Sequence, residues 1–347
     1  MTRQRQRSGN ESINVQAQNV QLGLSYEDTR QLALDVFEAN FAKLAGLAHS
    51  VATARAQEIA EEFLGTLQKR APESINLAAE PGAQRALFQV QESYAASGDA
   101  ELGNLLVGLL VDRMKEPTRT ERQVVLDEAL RALPKLSHGH IALLTALFYL
   151  TGVTLGEIQD VKSLYETTEK SLAAVMDGPL HATRLSWNHL AYAGCIVAGH
   201  VGKFEIGTVF RLAYPGLYTY GFGLNAVPTL LHTKLEGTDI LVRSVRNSDL
   251  YQLNAINEEA LAEFVSNHAS VQDFEPTLRS LLHSYHVQDD LISAEIMGTC
   301  PSIRRFVEMF ENSGFGHAEC TSVGVAIAHA NLRRILGPGT GIEEWIP

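Results

Sequence analysis

Residues 13–24 alternate apolar and polar side chains in two short runs that are out of phase with each other. The apolar positions are Ile13, Val15 and Ala17 in the first run, and Val20, Leu22 and Leu24 in the second. A period of two predicts β-strands, and a slip of one residue moves the apolar set to the opposite face. The segment is therefore predicted to form a strand, a turn or bulge, and a second strand. Because an isolated two-stranded element is marginal in water, it must pack on another sheet, on the body of the protein or on copies of itself.

The same segment is rich in amide side chains. Five of the eight residues from 14 to 21 are Asn or Gln, and Val20-Gln21-Leu22-Gly23 is similar to the core tetrad of amyloid-signalling motifs. Stacked in-register strands of this kind bury their aliphatic side chains and form ladders of Gln and Asn along the fibril axis. Two interpretations stay open: a signalling amyloid, and a β-arm that packs on its own chain or on a neighbouring subunit. The residues predicted to carry self-association are Ile13, Val15, Val20, Gln21, Leu22 and Gly23.

Composition places the rest of the chain among ordinary globular proteins. Of its 347 residues, 45% are apolar and 20% are charged, which is enough to build a hydrophobic core. The net charge of −12 disfavours nonspecific nucleic-acid binding, although Arg3, Arg5 and Arg7 form a small basic patch. Three widely spaced cysteines form no CxxC pair, and the N-terminus lacks the apolar core of a signal peptide. We therefore expect a reducing, cytoplasmic location.

Residues 25–70 carry a helical stripe of apolar side chains. Apolar residues from Phe37 to Val51 recur at spacings of four and three, and a second set continues from Ala52 to Leu67. An unbroken helix of this length would span roughly 70 Å at 1.5 Å per residue, which suits a helix that lies along a bundle or reaches a partner. The alternative is a pair of core helices bent near Gly46.

The same periodicity predicts further helices, and their short connections favour antiparallel packing. These helices span residues 83–96, 100–115, 119–132, 139–150, 257–267, 275–298, 302–312 and 323–336, with short strands at 239–245 and 318–322. The predicted fold class is mainly α, an irregular multi-helix bundle or solenoid with a short N-terminal β-arm and a small α+β C-terminal module. The predicted domains are residues 1–24, 25–237 and 238–347.

Three stretches in the middle of the chain, residues 136–156, 185–202 and 212–233, contain no Asp, Glu, Lys or Arg. Each is long enough to span a bilayer, but polar residues, Gly and Pro dilute all of them except 141–155. We expect buried core helices, and a membrane-acting effector stays as an alternative function.

Few residues suggest chemistry. His283, His286 and Asp290 lie at i, i+3 and i+7 of the predicted helix 275–298, a spacing that can place metal ligands on one helical face. Asp289 lies adjacent, as in some metal-dependent phosphohydrolases, so a metal-dependent hydrolase is a further alternative. No complementary His and Asp cluster occurs elsewhere, and no catalytic residue, metal or cofactor is predicted.

Features near the C-terminus favour structural explanations. Gly337, Gly339 and Gly341 follow a helix rather than a strand, so a helix-terminating turn is expected instead of a phosphate cradle. Trp345 and Ile346 are expected to fold back on the body. Four arginines lie in a helix–turn–strand–helix unit of winged-helix-like shape: Arg304, Arg305, Arg333 and Arg334. The acidic chain favours a solvated face for them over DNA binding.

Residues 9–44, residues 90–113 and the ending from 321 to 346 resemble an uncharacterised family of bacterial helical proteins. Members of that family are scattered in the way of mobile elements and defence islands, and the similarity covers most of the chain. The resemblance implies a bacterial, cytoplasmic protein of the accessory genome, with no activity attached. We therefore expect a non-enzymatic protein that associates with itself or recruits another protein, within a bacterial anti-phage defence module. Nucleic acid is disfavoured as a partner and a membrane is not favoured.

Overall fold

The computed structural model describes residues 26–41, 46–156, 158–178, 180, 182–199 and 204–347. The predicted β-arm and all six of its predicted self-association residues lie outside the described residues. Within them, the chain is mainly α-helical with a few short strands, which confirms the predicted fold class.

The first half of the described chain is a succession of helices. They are α1 (Tyr26–Phe41), α2 (Gly46–Arg70), α3 (Pro81–Ser97), α4 (Ala100–Met114), α5 (Glu121–Ala132), α6 (His138–Gly152) and α7 (Val161–Val175). Side-chain caps define several of their starts. Asp99 accepts hydrogen bonds from the backbone N–H groups of Glu101 and Leu102 at the start of α4, and Ser137 accepts one from His140 at the start of α6. Such caps satisfy backbone donors that a helix leaves unpaired.

The second half interleaves shorter helices with two small sheets. Its elements are α8 (Arg184–Tyr192), β1 (Ile196–Gly199), α9 (Ile206–Ala213), α10 (Thr229–Leu235), β2 (Leu241–Arg243), β3 (Tyr251–Leu253), α11 (Glu258–Asn267), α12 (Glu275–Leu282), α13 (Asp289–Thr299), α14 (Pro301–Asn312), β4 (His317–Cys320) and α15 (Ser322–Leu336). Strand β1 pairs antiparallel with β4, and β2 pairs antiparallel with β3. The β1–β4 pair therefore joins the middle of the chain to its end.

Helix α15 lies at the centre of the main hydrophobic core, where it packs against α4, α5 and α6. Ala326, Ile327 and Ala328 are buried there, and small residues at such positions let helices approach closely. The main core takes residues from both ends of the described chain, from Ala33 to Tyr218 and from Val287 to Ile346.

A second hydrophobic core lies within residues 222–282. It gathers side chains of α10, β3, α11 and α12, with Leu231, Leu261 and Leu278 fully buried. The two cores do not divide at the domain boundary that we predicted after residue 237, since residues 287–346 pack into the main core. Position 237 falls within the range 222–282 of this second core rather than between the two cores.

Residues 26–41 and 46–70 lie in two helices, α1 and α2, rather than in one. Helix α2 starts at Gly46, whose φ of +37° is in the left-handed range that glycine tolerates. Of the two interpretations that the sequence left open, the pair of helices bent near Gly46 is therefore the correct one. Helix α2 buries Ile59, Phe63 and Leu67, so its apolar stripe faces the core.

The predicted helix 275–298 is wrong, because the chain breaks it between Leu282 and Asp289. Tyr285 has a φ of +60°, which ends the helical path. The backbone N–H of Val287 donates to Tyr218 O at 2.9 Å, and that of Tyr220 donates to Tyr285 O at 2.8 Å. These long-range bonds satisfy backbone groups that a continuous helix would have paired internally.

The uncharged stretches fold in different ways. Residues 141–150 belong to α6 and are almost entirely buried, whereas 185–202 includes α8 and β1, and 212–233 is interrupted before α10. In the described part of the chain, no helix combines the length and the apolar character needed to cross a membrane.

The C-terminal tail folds back on the body, as expected. Trp345 Nε1 donates to Gly152 O at 2.8 Å, and the indole packs edge-on against Phe148. Arg122 Nε donates to Ile346 O at 2.7 Å, and the Ile346 side chain is buried. The tail thus closes the main core beside α6.

Candidate functional site

Helix α8 presents large apolar side chains to solvent. Leu185 is 76% exposed and Tyr192, seven residues later on the same face, is 84% exposed. Its opposite face is anchored, since Trp187 is fully buried and packs edge-on against Phe310 of α14. The outer apolar residues are therefore held on a rigid helix rather than left on a loop.

Strand β1 packs next to α8 and continues this exposed surface. Ile196 points into the core, whereas Val197 is 63% exposed on the outer face of the sheet. In the antiparallel register Val197 lies opposite Glu319 of β4. On its other side β1 pairs with no strand within the part of the chain that the structure describes. We call Leu185, Tyr192 and Val197, with the backbone of β1, the α8–β1 surface.

The start of α15 fixes the position of β1. Thr321 Oγ1 donates to Gly194 O at 2.6 Å, and Thr321 N donates to Cys195 O at 3.0 Å. A Cβ at Gly324 would lie 1.9 Å from Cys195 O, so only glycine permits this contact. The α8–β1 surface is consequently tied to the central helix of the main core.

This surface carries no charge of its own, because residues 185–202 contain no Asp, Glu, Lys or Arg. Exposed segments are ordinarily rich in charged residues. A surface that lacks charged residues and presents an aromatic side chain is typical of the centre of a protein–protein interface. Arg184 and Glu319 border the surface, which matches the polar rim of such interfaces. The arrangement suits binding of another protein surface.

A second feature is a polar cleft of about 490 Å³ between α2, α4 and α15. The carboxylate of Asp112, 5% exposed, lies at its edge and accepts from Arg70 Nη2 at 2.8 Å and Lys115 Nζ at 3.0 Å. Arg333 Nη1 lies 3.4 Å from the other carboxylate oxygen. Three cations thus surround one buried anion, and we call this group the Asp112 cleft.

Arg333 and Arg334 differ in their exposure. Arg333 is half-buried beside Asp112, which corrects the expectation of a solvated face for this residue. Arg334 is exposed, as expected, and its Nη2 lies 2.7 Å from Glu101 Oε1 while its Nε and Nη2 donate to Asn331 Oδ1. Arg304 and Arg305 donate to backbone carbonyl groups of Met297, Met176 and Gly178. Arg304 and Arg305 are exposed, as the expectation of a solvated face requires, so Arg333 is the one of the four arginines that departs from it.

The His and Asp face predicted for a metal does not exist, because its residues lie on both sides of the break in the helix. His283 contacts Glu258, while Asp289 accepts from Arg211 and Thr208. These hydrogen bonds lower the pKa of Asp289, and the bond from Arg211 has the largest effect. Among the described residues, no group of three or more His, Cys, Asp or Glu side chains could hold a metal ion.

The other candidates are structural. Gly337 has a φ of +91° and caps the end of α15, as the expected helix-terminating turn requires. Burial raises the pKa of the Cys195 and Cys300 thiols to about 11 and that of Cys320 to about 12. A thiol with such a pKa is protonated at neutral pH and is a poor nucleophile.

Sequence reasoning overlooked both features. The α8–β1 surface had a signal, because the charge-free stretch alternates anchoring residues such as Trp187 and Leu190 with outward ones such as Tyr192 on a helical period. The Asp112 cleft had none, since its residues lie far apart in the sequence.

A model of an uncharacterised protein family matches residues 23–346, which is nearly the whole chain. The comparison with curated proteins and the comparison with solved structures each gave no match.

Proposed function

We propose that this chain, which belongs to the family whose model matches residues 23–346, is a non-enzymatic protein that associates with copies of itself. The observation that carries the proposal is the α8–β1 surface, a rigid, exposed and charge-free patch with Tyr192 at its most exposed point. Aromatic residues in such settings supply much of the binding energy at interfaces.

Charge argues for a second copy as the partner. The chain carries a net charge of −12, so two copies repel each other across most of their surfaces. Residues 185–202 add nothing to that repulsion, and a contact between two copies there avoids placing like charges face to face. The open edge of β1 is also a template for an antiparallel strand of its own sequence, which a two-fold axis would generate.

The predicted β-arm supplies a second contact in this proposal. Residues 13–24 need a partner sheet, and a strand edge on another copy meets that need. The apolar and amide residues that would make this contact are Ile13, Val15, Val20, Gln21, Leu22 and Gly23. The arm and the α8–β1 surface together would link each copy to more than one neighbour.

The setting that we propose is a bacterial cytoplasm, within an anti-phage defence module. It rests on the resemblance of three segments to a family scattered like mobile elements and defence islands. A protein that assembles with copies of itself fits such a module as its scaffold or its sensor.

The test is the mass of the protein in solution, measured by light scattering after size exclusion. Tyr192→Lys and Val197→Lys should lower the assembly mass, because they place like charges against each other in a symmetric contact. Val245→Lys is the matched control, since Val245 is 69% exposed and is not part of the α8–β1 surface. Circular dichroism checks that all variants stay folded. Unchanged mass in both test variants would remove the α8–β1 surface from the proposal.

A further inference from the structure

The Asp112 cleft is built around an excess of positive charge in an acidic protein. Arg70, Lys115 and Arg333 all lie within 3.4 Å of the Asp112 carboxylate. Glu62 also lines the cleft, so these groups together carry a net charge of +1. Arg334 adds nothing to this sum, because Glu101 pairs with it.

The two guanidinium groups keep most of their hydrogen-bond donors free. A guanidinium offers five N–H donors in a planar fork. Within the described residues, Arg70 donates from Nη2 and Arg333 from Nη1, both to Asp112, and the other nitrogens of the two guanidinium groups donate to no protein acceptor. Burial lowers the pKa of Arg70, and the nearby charge of Arg333 lowers it further against the opposing effect of Asp112. An anion between the two would relieve that repulsion.

The cleft also has room. Its floor includes Gly108 and Ala330, and a Cβ added at Gly108 would meet no atom within 4 Å. The absence of a side chain there leaves open space rather than a close helix contact. Thr66 and Asn104 add polar groups to the walls. A volume of about 490 Å³ falls within the range of small-molecule sites.

We propose that the Asp112 cleft binds a phosphate group, free or as a phosphomonoester, between the guanidinium groups of Arg70 and Arg333. Asp112 orients both guanidiniums and neutralises one charge, and the remaining donors match the geometry of phosphate oxygens. A doubly charged phosphate fits the paired cations better than a singly charged carboxylate does. The site is independent of the α8–β1 surface, so the protein could bind this ligand in either assembly state.

Isothermal titration of the full chain tests this proposal with inorganic phosphate, glycerol 3-phosphate and acetate, each at matched ionic strength. We expect both phosphate compounds to bind and acetate to bind at least tenfold more weakly. Arg333→Gln should weaken phosphate binding at least tenfold. Arg304→Gln is the control, since Arg304 does not line the cleft and its guanidinium donates to the backbone carbonyl groups of Met297 and Gly298 in α13.

A second variant separates the ligand site from the stability of the fold. Gly108→Leu keeps every charge and fills the open space on α4, so it should abolish phosphate binding while the protein stays folded. Equal binding of acetate and phosphate would overturn the assignment to phosphate. No binding by the wild type, or full binding by folded Gly108→Leu, would overturn the site itself.

Discussion

Asn331 Nδ2 donates a hydrogen bond to Thr145 Oγ1 at 2.9 Å, and both residues are buried. The bond joins α15 to α6, so the end of the chain is locked to the uncharged helix in its middle. Thr145 Oγ1 in turn donates to Ile141 O at 2.7 Å. Because a buried polar group without a partner is costly, this pair selects one register for α15 in the core.

Thr145→Val should lower the free energy of unfolding by about 1–3 kcal/mol, the cost of leaving a buried donor on Asn331 unpaired. Denaturant unfolding measures the change. Thr233→Val is the control, since the exposed Thr233 makes the same bond to its own helix, to Thr229 O. Equal losses in the two variants would show that the link to Asn331 adds nothing.

The apolar helix α6 should be intolerant of charge. Leu144→Asp places a carboxylate at a fully buried position, and we expect a loss of several kcal/mol, on the order of the cost of an unpaired buried charge. Leu185→Asp, on the exposed face of α8, should leave the unfolding free energy nearly unchanged. Thermal unfolding followed by circular dichroism compares them, and similar midpoints would contradict the assignment of α6 to the core.

Removal of the tail after Gly337 should lower the melting temperature clearly. The truncation exposes the core beneath Ile342 and Ile346, and each buried side chain of this kind contributes about 1.5–3 kcal/mol. It also removes the contacts of Trp345 with Phe148 and Gly152. A truncated protein that melts at the wild-type temperature would show that the tail is not docked in solution.

His329 predicts a dependence of stability on pH. Burial lowers its pKa in the folded protein, Nε2 donates to Thr340 O, and Nδ1 has no partner in the described structure. The unfolded state therefore binds the proton more readily, so stability should fall as pH drops below about 6.5, the ordinary His value.

His329→Gln should reduce the loss of unfolding free energy between pH 7.5 and 5.5, relative to the wild type. His317→Gln is the control, since His317 is exposed and pairs with Glu319, and this variant should keep the wild-type dependence. Denaturant unfolding at the two pH values gives both differences. An unchanged dependence in His329→Gln would show that His329 is not the group that titrates.

Periodicity and capping residues predicted most of the helices, because an apolar stripe and a cap are local properties of the chain. The break at 283–288 was not predicted, because His283, His286 and Asp290 keep a helical spacing. In the fold, the backbone groups of Tyr218 and Tyr220 instead form hydrogen bonds with those of residues 285 and 287. That competition is visible only in three dimensions. The exposed apolar surface on α8 could have been predicted from the sequence, because a charge-free stretch that carries Tyr192 indicates it.

The Asp112 cleft could not be predicted from the sequence. The contacts of Asp112 with Arg70 and Arg333 depend on the packing of α15 against helices from the first part of the chain. Their separation along the sequence hides the charge excess, and each residue alone resembles an ordinary surface charge.

Light scattering over a range of concentrations measures self-association directly, as the mass of the full chain and of residues 25–347. The full chain should have a mass that is a multiple of 38.0 kDa, and the truncated chain should form an assembly of fewer copies with unchanged helicity. A full chain that stays at 38.0 kDa at every concentration would contradict self-association as its function.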